Sequence, residues 1–343
     1  MNKFPLVVIF LILSTTGCAT LTTQPATFSL HHQVGDTYMG IRLQGTLKLA
    51  SQEVNGLKVM GLSDLAWDED EKILYAISDK GNLFHLHPVI TNHVLTDVKV
   101  SAAYPLTKGE KALNAADAEG LTLANGNNGI AGDSQLIISL ESTPRIMRFT
   151  PTGEWLSNET LPPILRDVNN YAGTNKQLEA VTLHSYLGIL TAPEWPLKQK
   201  DKEYSLKGEH EHTLYTLNGK QWSFPAYPAP NSAIVALEAL EDNSILVLER
   251  AYVSKLQPII ISLRQAWVST CSKCQGGVET KPIVAFNSHE GWLIDNFEGL
   301  THHEGAYFFM VSDDNDSSLQ RTLLNYFEIL GNAQVSAKLG NDV

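Results

Sequence analysis

Apolar residues along this chain fall in short alternating runs, and the runs come in pairs separated by polar turns rich in Gly, Asn and Asp. Alternation with a period of two is the pattern of a β-strand. The stretch GLSDLAWDEDEKILYAISDKGNLFHL shows the unit: an acid (Asp64), an apolar strand, a turn, a second apolar strand and a closing acid (Asp79). The unit recurs at Glu119 and Glu141, Glu179 and Glu194, Glu238 and Glu249, and Glu298 and Asp313. Leading acids at 64, 119, 179, 238 and 298 are spaced by 55, 60, 59 and 60 residues, the mark of a repeat architecture. Runs at 145–149, 213–217, 258–263 and 323–330 predict third strands, and 95–100 and 281–286 predict fourth strands. With no convincing amphipathic helix, the pattern predicts an all-β fold, a β-propeller with five countable blades. A sixth blade has room within 162–176 or 264–296. The run GIRLQGTLKL at 40–49 has no blade of its own and is expected to close the ring as the outer strand of the last blade, removing an exposed edge. The rival fold, a two-sheet sandwich, would not require the unit to recur.

A hairpin sets the start of its first strand beside the end of its second. Each leading acid should therefore meet its trailing acid, and in a propeller all ten should converge at one mouth of the channel. Crowded carboxylates raise one another's pKa or need cations. The cations on offer are a bound metal and the basic residues that follow trailing acids: Lys80, Arg145, Arg250 and Arg321. Oxygen ligands without His or Cys favour calcium. We expect the metal set to include Asp64, Glu119, Glu141, Glu179, Glu238, Glu298 and Asp313, and Lys80, Arg145, Arg250 and Arg321 to bind a small anionic substrate or ligand. A metal there would polarise an ester oxygen and acidify a water, with one free carboxylate as general base. The plain alternative is that such acids pair with Arg or Lys of a neighbouring blade.

Two stretches resemble a known family. NFEGLT followed by VSDDN and QRTLL, and AEGLTL followed by SLESTPRIMRF, are similar to the phytase-like family described as having esterase-like activity, a set of exported bacterial propellers. The similarity runs over about 61–330. It implies a propeller, calcium, and hydrolysis of phosphate or carboxylic esters. It carries over Glu119, Glu141, Arg145, Glu298, Asp313, Asp314 and Asn315 as site positions, with Glu119, Glu298 and Arg145 as the catalytic set. The Asp-Asp-Pro-Ala text of alkaline phytases is absent, which argues against phytate. Two alternatives are a calcium-dependent lactonase and a non-catalytic propeller of the cell envelope that binds a ligand or protein.

Composition adds bounds. The chain has 343 residues, a formal net charge of −12 and a pI near 5.4, which argues against a nucleic-acid surface. Lys3, the apolar run 6–13 and the sequence Ser14-Thr15-Thr16-Gly17-Cys18 resemble a lipoprotein signal, too short to span a bilayer. We expect cleavage after residue 17, lipidation of Cys18, a tether over 18–35, a propeller over 36–331, a tail over 332–343, and a monomer held in the envelope, at the outer membrane facing the periplasm. Cys271 and Cys274 are expected to form a local disulfide. His210-Glu211-His212 and His302-His303-Glu304 are read as solvated loops, not ligands. Neither Gly-x-Ser-x-Gly nor His-Glu-x-x-His occurs, which removes the usual serine esterase and zinc protease readings.

Overall fold

The computed structural model describes residues 23–113, 117–198, 210–268, 278–317 and 319–331. Cys18, Cys271 and Cys274, the signal 1–17 and the tail 332–343 lie outside the described residues. Five antiparallel sheets form five blades. Blade 1 runs Leu62–Asp68, Ile73–Ser78, Asn82–Thr91 and Val94–Pro105. Blade 2 runs Ala118–Ala124, Gln135–Leu140, Arg145–Phe149 and Trp155–Asn158. Blade 3 runs Leu178–His184, Gly188–Pro193, Glu211–Thr216 and Gln221–Pro225. Blade 4 runs Ser232–Ala239, Ser244–Ala251, Ile260–Trp267 and Glu279–Asn287. Blade 5 comprises Asn296–His302, Tyr307–Asp313 and Leu323–Ile329, closed by the N-terminal strand Ile41–Leu49 as expected.

Each innermost strand packs against the innermost strands of two neighbours, and the fifth returns to the first, so the ring is closed. There is no sixth blade among the described residues. The stretch 264–296 supplies the outer half of blade 4, and 162–176 holds only the short helical turns Pro163–Arg166 and Val168–Asn170.

Both faces of the inner strands are buried, which is why their sequences read as nearly continuous apolar runs. On Ile73–Ser78, Leu74 and Ala76 join the core shared with blade 5, whereas Tyr75 and Ile77 join the core shared with blade 2. Five such cores fill the five junctions between blades. Burying one large aliphatic or aromatic side chain is worth roughly 1.5–3 kcal/mol, so these wedges hold the ring together.

The expected tether is corrected from Thr23 onward. Thr23–Pro25 pairs with the closing strand, and Phe28 packs edge-on against Phe286 and Trp292 at 5.1 and 5.4 Å between centroids. This segment belongs to the propeller, because Thr23–Pro25 covers the outer edge of blade 5 and Phe28 enters the core between blades 4 and 5. His212 also departs from the loop reading, lying buried in the third strand of blade 3.

Candidate functional site

Every innermost strand carries one extra residue, a β-bulge, near its start. The bulge falls at Ser63, at Glu119 beside Gly120, at Glu179, at Val235 and at Glu298. Bulges re-aim side chains, and here they define an inner ring of three glutamates, a serine and a valine. The paired second strands supply the outer ring at the matching register: Asp79, Glu141, Glu194, Arg250 and Asp313. The residue after each bulge is small where a neighbouring inner strand passes closest. A Cβ on Gly120 would stand 2.6 Å from the Glu179 carbonyl oxygen, and one on Gly299 would stand 2.7 Å from the Cα of Asp64.

The two rings open into a cavity of about 150 Å³ lined by Asp79, Asp117, Glu119, Glu141, Asn175, Glu179, Glu194, Arg250, Glu298, Asp313 and Asn315. That is eight carboxylates around one guanidinium. Arg250 donates to Glu194 at 3.1 Å and, through its other terminal nitrogen, to Glu298 and Asn296. Lys176 holds the second oxygen of Glu194 at 2.5 Å, and Lys80 pairs with Asp79 at 2.8 Å. Asp117, Glu119, Glu141, Glu179 and Asp313 have no ion-pair partner among the described residues. One oxygen each of Asp117, Glu119 and Glu141 lie within 4.8 Å of one another, and the same holds for Glu141, Glu179 and Glu194.

Burial, then the neighbouring carboxylates, pushes Glu119 and Glu179 well above the usual range. Glu141 is pushed to about 7 by burial, with Glu194 and Asp117 adding and the Gln177 N–H opposing. Asp313 is pushed to about 8 by burial and the Glu298 charge. Burial also raises Glu298, although Arg250 opposes. Burial works against the Arg250 charge, but Glu298, Glu194 and Glu179 outweigh it and keep the guanidinium protonated.

Oxygen-only donors with surplus negative charge suit a hard divalent cation, and Asp117, Glu119 and Glu141 fit it best because Glu194 is already held by Lys176 and Arg250. A pH effect follows for the metal-free protein. Carboxyls with folded pKa values above their unfolded ones bind more protons when folded, so stability should fall as pH rises from about 4.5 toward 8. In EDTA, the melting temperature is expected to be higher at pH 5 than at pH 8, and calcium should raise it more at pH 8. Melting curves at both pH values check this; equal calcium shifts would count against these carboxyls as the metal site.

Six expected site residues do not line the cavity: Asp64, Lys80, Arg145, Glu238, Asp314 and Arg321. Asp64 follows the bulge residue Ser63 and lies on the channel wall, taking the N–H groups of Leu65, Leu121 and Leu300 at 2.8, 2.7 and 3.0 Å. Glu238 sits toward the end of its strand at the opposite mouth, where it takes the His302 N–H at 3.1 Å and burial pushes it to about 8. Asp314 braces blades 5 and 1 through the Gly61 N–H and the Thr322 hydroxyl. Arg145 donates to the Thr143 carbonyl at 3.2 Å and does not line the cavity.

The trailing acid Glu249 is buried between blades 3 and 4. It accepts from His212 at 2.9 Å, the Tyr227 N–H at 2.7 Å and Arg264 at 2.5 Å. Burial opposes its charge, but His212 and Arg264 hold it below the usual range. Lys80 sits on the rim at Asp79, and Arg321 lies in an adjoining groove, bound to Asp295 at 3.2 Å. Asn315 lines the mouth as expected. Asp117 and Asn175 were not anticipated. Asp117 sits two residues before Glu119 in the left-handed region (φ 53°), and no repeat spacing marks it.

The family model for phytase-like proteins, "Esterase-like activity of phytase", matches residues 57–316. No curated protein matches the chain. Among solved structures, the chain is similar to the gluconolactonase XC5397 from Xanthomonas campestris, at 12% identity over 88% of this chain and 100% of that one, with a TM-score of 0.36. It is also similar to the Dos1 propeller (8% identity, 84% and 75% covered, TM-score 0.35). A third is the propeller domain of Cps50 (Swd1) from Myceliophteria thermophila (12% identity, 84% and 91% covered, TM-score 0.35). With a family match across most of its length and a five-bladed ring, the chain belongs to the phytase-like family.

Proposed function

We propose that this chain is a calcium-dependent hydrolase of phosphate or carboxylic esters working at the acidic mouth. The observation that carries the reading is the convergence of eight carboxylates, five of them without a basic partner among the described residues, in one small polar cavity. Asp117, Glu119 and Glu141 would hold the ion, with Glu179 beside them. When bound, calcium supplies Lewis-acid polarisation of the ester oxygen and a more acidic water. Asp313, which has no ion-pair partner among the described residues, would be the carboxylate to accept a proton from an attacking water. Arg250 fixes the positions of Glu194 and Glu298.

A second reading, a non-catalytic ligand-binding propeller, draws on one feature. Arg250, the only guanidinium in the mouth among the described residues, is engaged by Glu194, Glu298 and Asn296, which leaves it little capacity for a substrate anion. Calorimetry with calcium should separate these readings when joined to turnover of 4-nitrophenyl phosphate, bis(4-nitrophenyl) phosphate, 4-nitrophenyl butyrate and glucono-δ-lactone, each with calcium or EDTA. The hydrolase reading expects saturable calcium binding and calcium-dependent turnover of one ester class. Lactone turnover alone selects the lactonase, calcium binding without turnover selects the second reading, and no calcium binding overturns the calcium reading.

A further inference from the structure

A second concavity opens beside the acidic mouth over blades 4 and 5, and the two share Arg250 and Asn315 in their walls. Its volume is about 730 Å³, within the range of small-molecule sites. The chemistry of its walls is opposite to that of the mouth. Among the described residues that line it the only acid is Asp295, and Arg321 takes that carboxylate at 3.2 Å while donating to the Leu293 carbonyl at 2.8 Å. Lys255 has no ion-pair partner among the described residues. Tyr252, 43% exposed, and Leu319, 85% exposed, present apolar surface beside the half-buried Ile259.

An unpaired ammonium in the same groove as an aromatic ring and aliphatic side chains suits an amphipathic anion, because its charge and its apolar body are satisfied together. The opposite half of the mouth, at Asp117, Glu119, Glu141 and Glu179, would repel the same group. We infer that this groove is the subsite for the non-reacting part of the substrate, and that it selects esters with an aromatic or aliphatic body carrying a negative charge. The inference rests on the hydrolase reading of the mouth for the word substrate, while the groove's affinity for amphipathic anions stands without calcium.

The probe is 8-anilinonaphthalene-1-sulfonate, titrated by fluorescence into the full chain in EDTA. Saturable binding is expected, weakened about tenfold by Lys255→Ala and by Tyr252→Ala and unchanged by Lys99→Ala on the outer strand of blade 1. 2-Naphthoate should displace the probe, whereas 2-naphthylmethanol at the same concentration should not. Binding that ignores both groove substitutions, or equal displacement by the charged and neutral competitors, overturns the inference. Calcium calorimetry on the parent and on Lys255→Ala keeps the two readings apart. If calcium fails to bind while the probe still depends on Lys255, the hydrolase reading falls and the groove stands.

Discussion

Replacing Glu119 and Glu141 together by glutamine is expected to abolish calcium binding and lower turnover about a thousandfold or more, while raising the melting temperature of the metal-free protein. The two effects have one cause. Glu119 and Glu141 each place an oxygen within 4.8 Å of the other and of Asp117, and both are pushed up by burial and by neighbouring carboxylates. Glutamine keeps the shape and one oxygen but removes the charge on which a hard cation depends. It also removes the cost of ionising these buried, crowded carboxyls when the ion is absent. Glu141 keeps a structural duty, because it accepts the Gln177 N–H at 2.7 Å, and a glutamine oxygen preserves that bond where alanine would not. Loss of affinity with gain of metal-free stability is the pattern of a site maintained for function at a cost to folding. Calorimetry and melting at pH 8 in EDTA read both quantities. A double variant that binds calcium like the parent would remove this trio as the ligand set.

The blades were legible because a strand buried on both faces leaves a short, nearly continuous apolar run bounded by polar turns, as in Ile73–Ser78 and Tyr307–Asp313. The closing strand was legible because an apolar strand with no partner in its own repeat must find one elsewhere. The rings were only partly legible, and the bulges are the reason. One inserted residue turns the following side chains to the other face, so a slip of one in reading the repeat replaces a ring residue by its neighbour. Asp64 took the place of Ser63, and Glu249 that of Arg250, by this slip. Glu238 took the place of Val235, three residues away, because no acid stands at the true position in blade 4. The bulge residues at 63, 119, 179, 235 and 298 are spaced by 56, 60, 56 and 63, less evenly than the acids that drew attention. Small residues after the bulge, Gly120, Ala180, Ala236 and Gly299, give a truer register, because close packing at the axis constrains them. Asp64 stands at the same register in blade 1, where its carboxylate joins three blades instead.

Arg250→Met is expected to destabilise the metal-free protein by about 3 kcal/mol at pH 8, the lower end of what removing one partner of a buried ion pair costs. Methionine fills similar space, so the loss would be electrostatic. Arg250 occupies the outer-ring position that the other four blades give to an acid, and from there it contacts two carboxylates that would otherwise face each other across the mouth. Without it, Glu298 loses the main influence opposing its upward shift. A carboxyl whose folded pKa lies above its unfolded one destabilises the fold only where it must ionise. The deficit should therefore be largest at pH 8 and shrink as the pH falls toward 5. Calcium offers a second way to neutralise the same charge, so the variant should recover stability in calcium and take up an additional equivalent on the Glu194 and Glu298 side. Melting curves at the two pH values and calorimetric stoichiometry test these expectations together. A deficit equal at both pH values and untouched by calcium would mean that Arg250 acts through packing, and the mouth's charge would then be balanced by other groups.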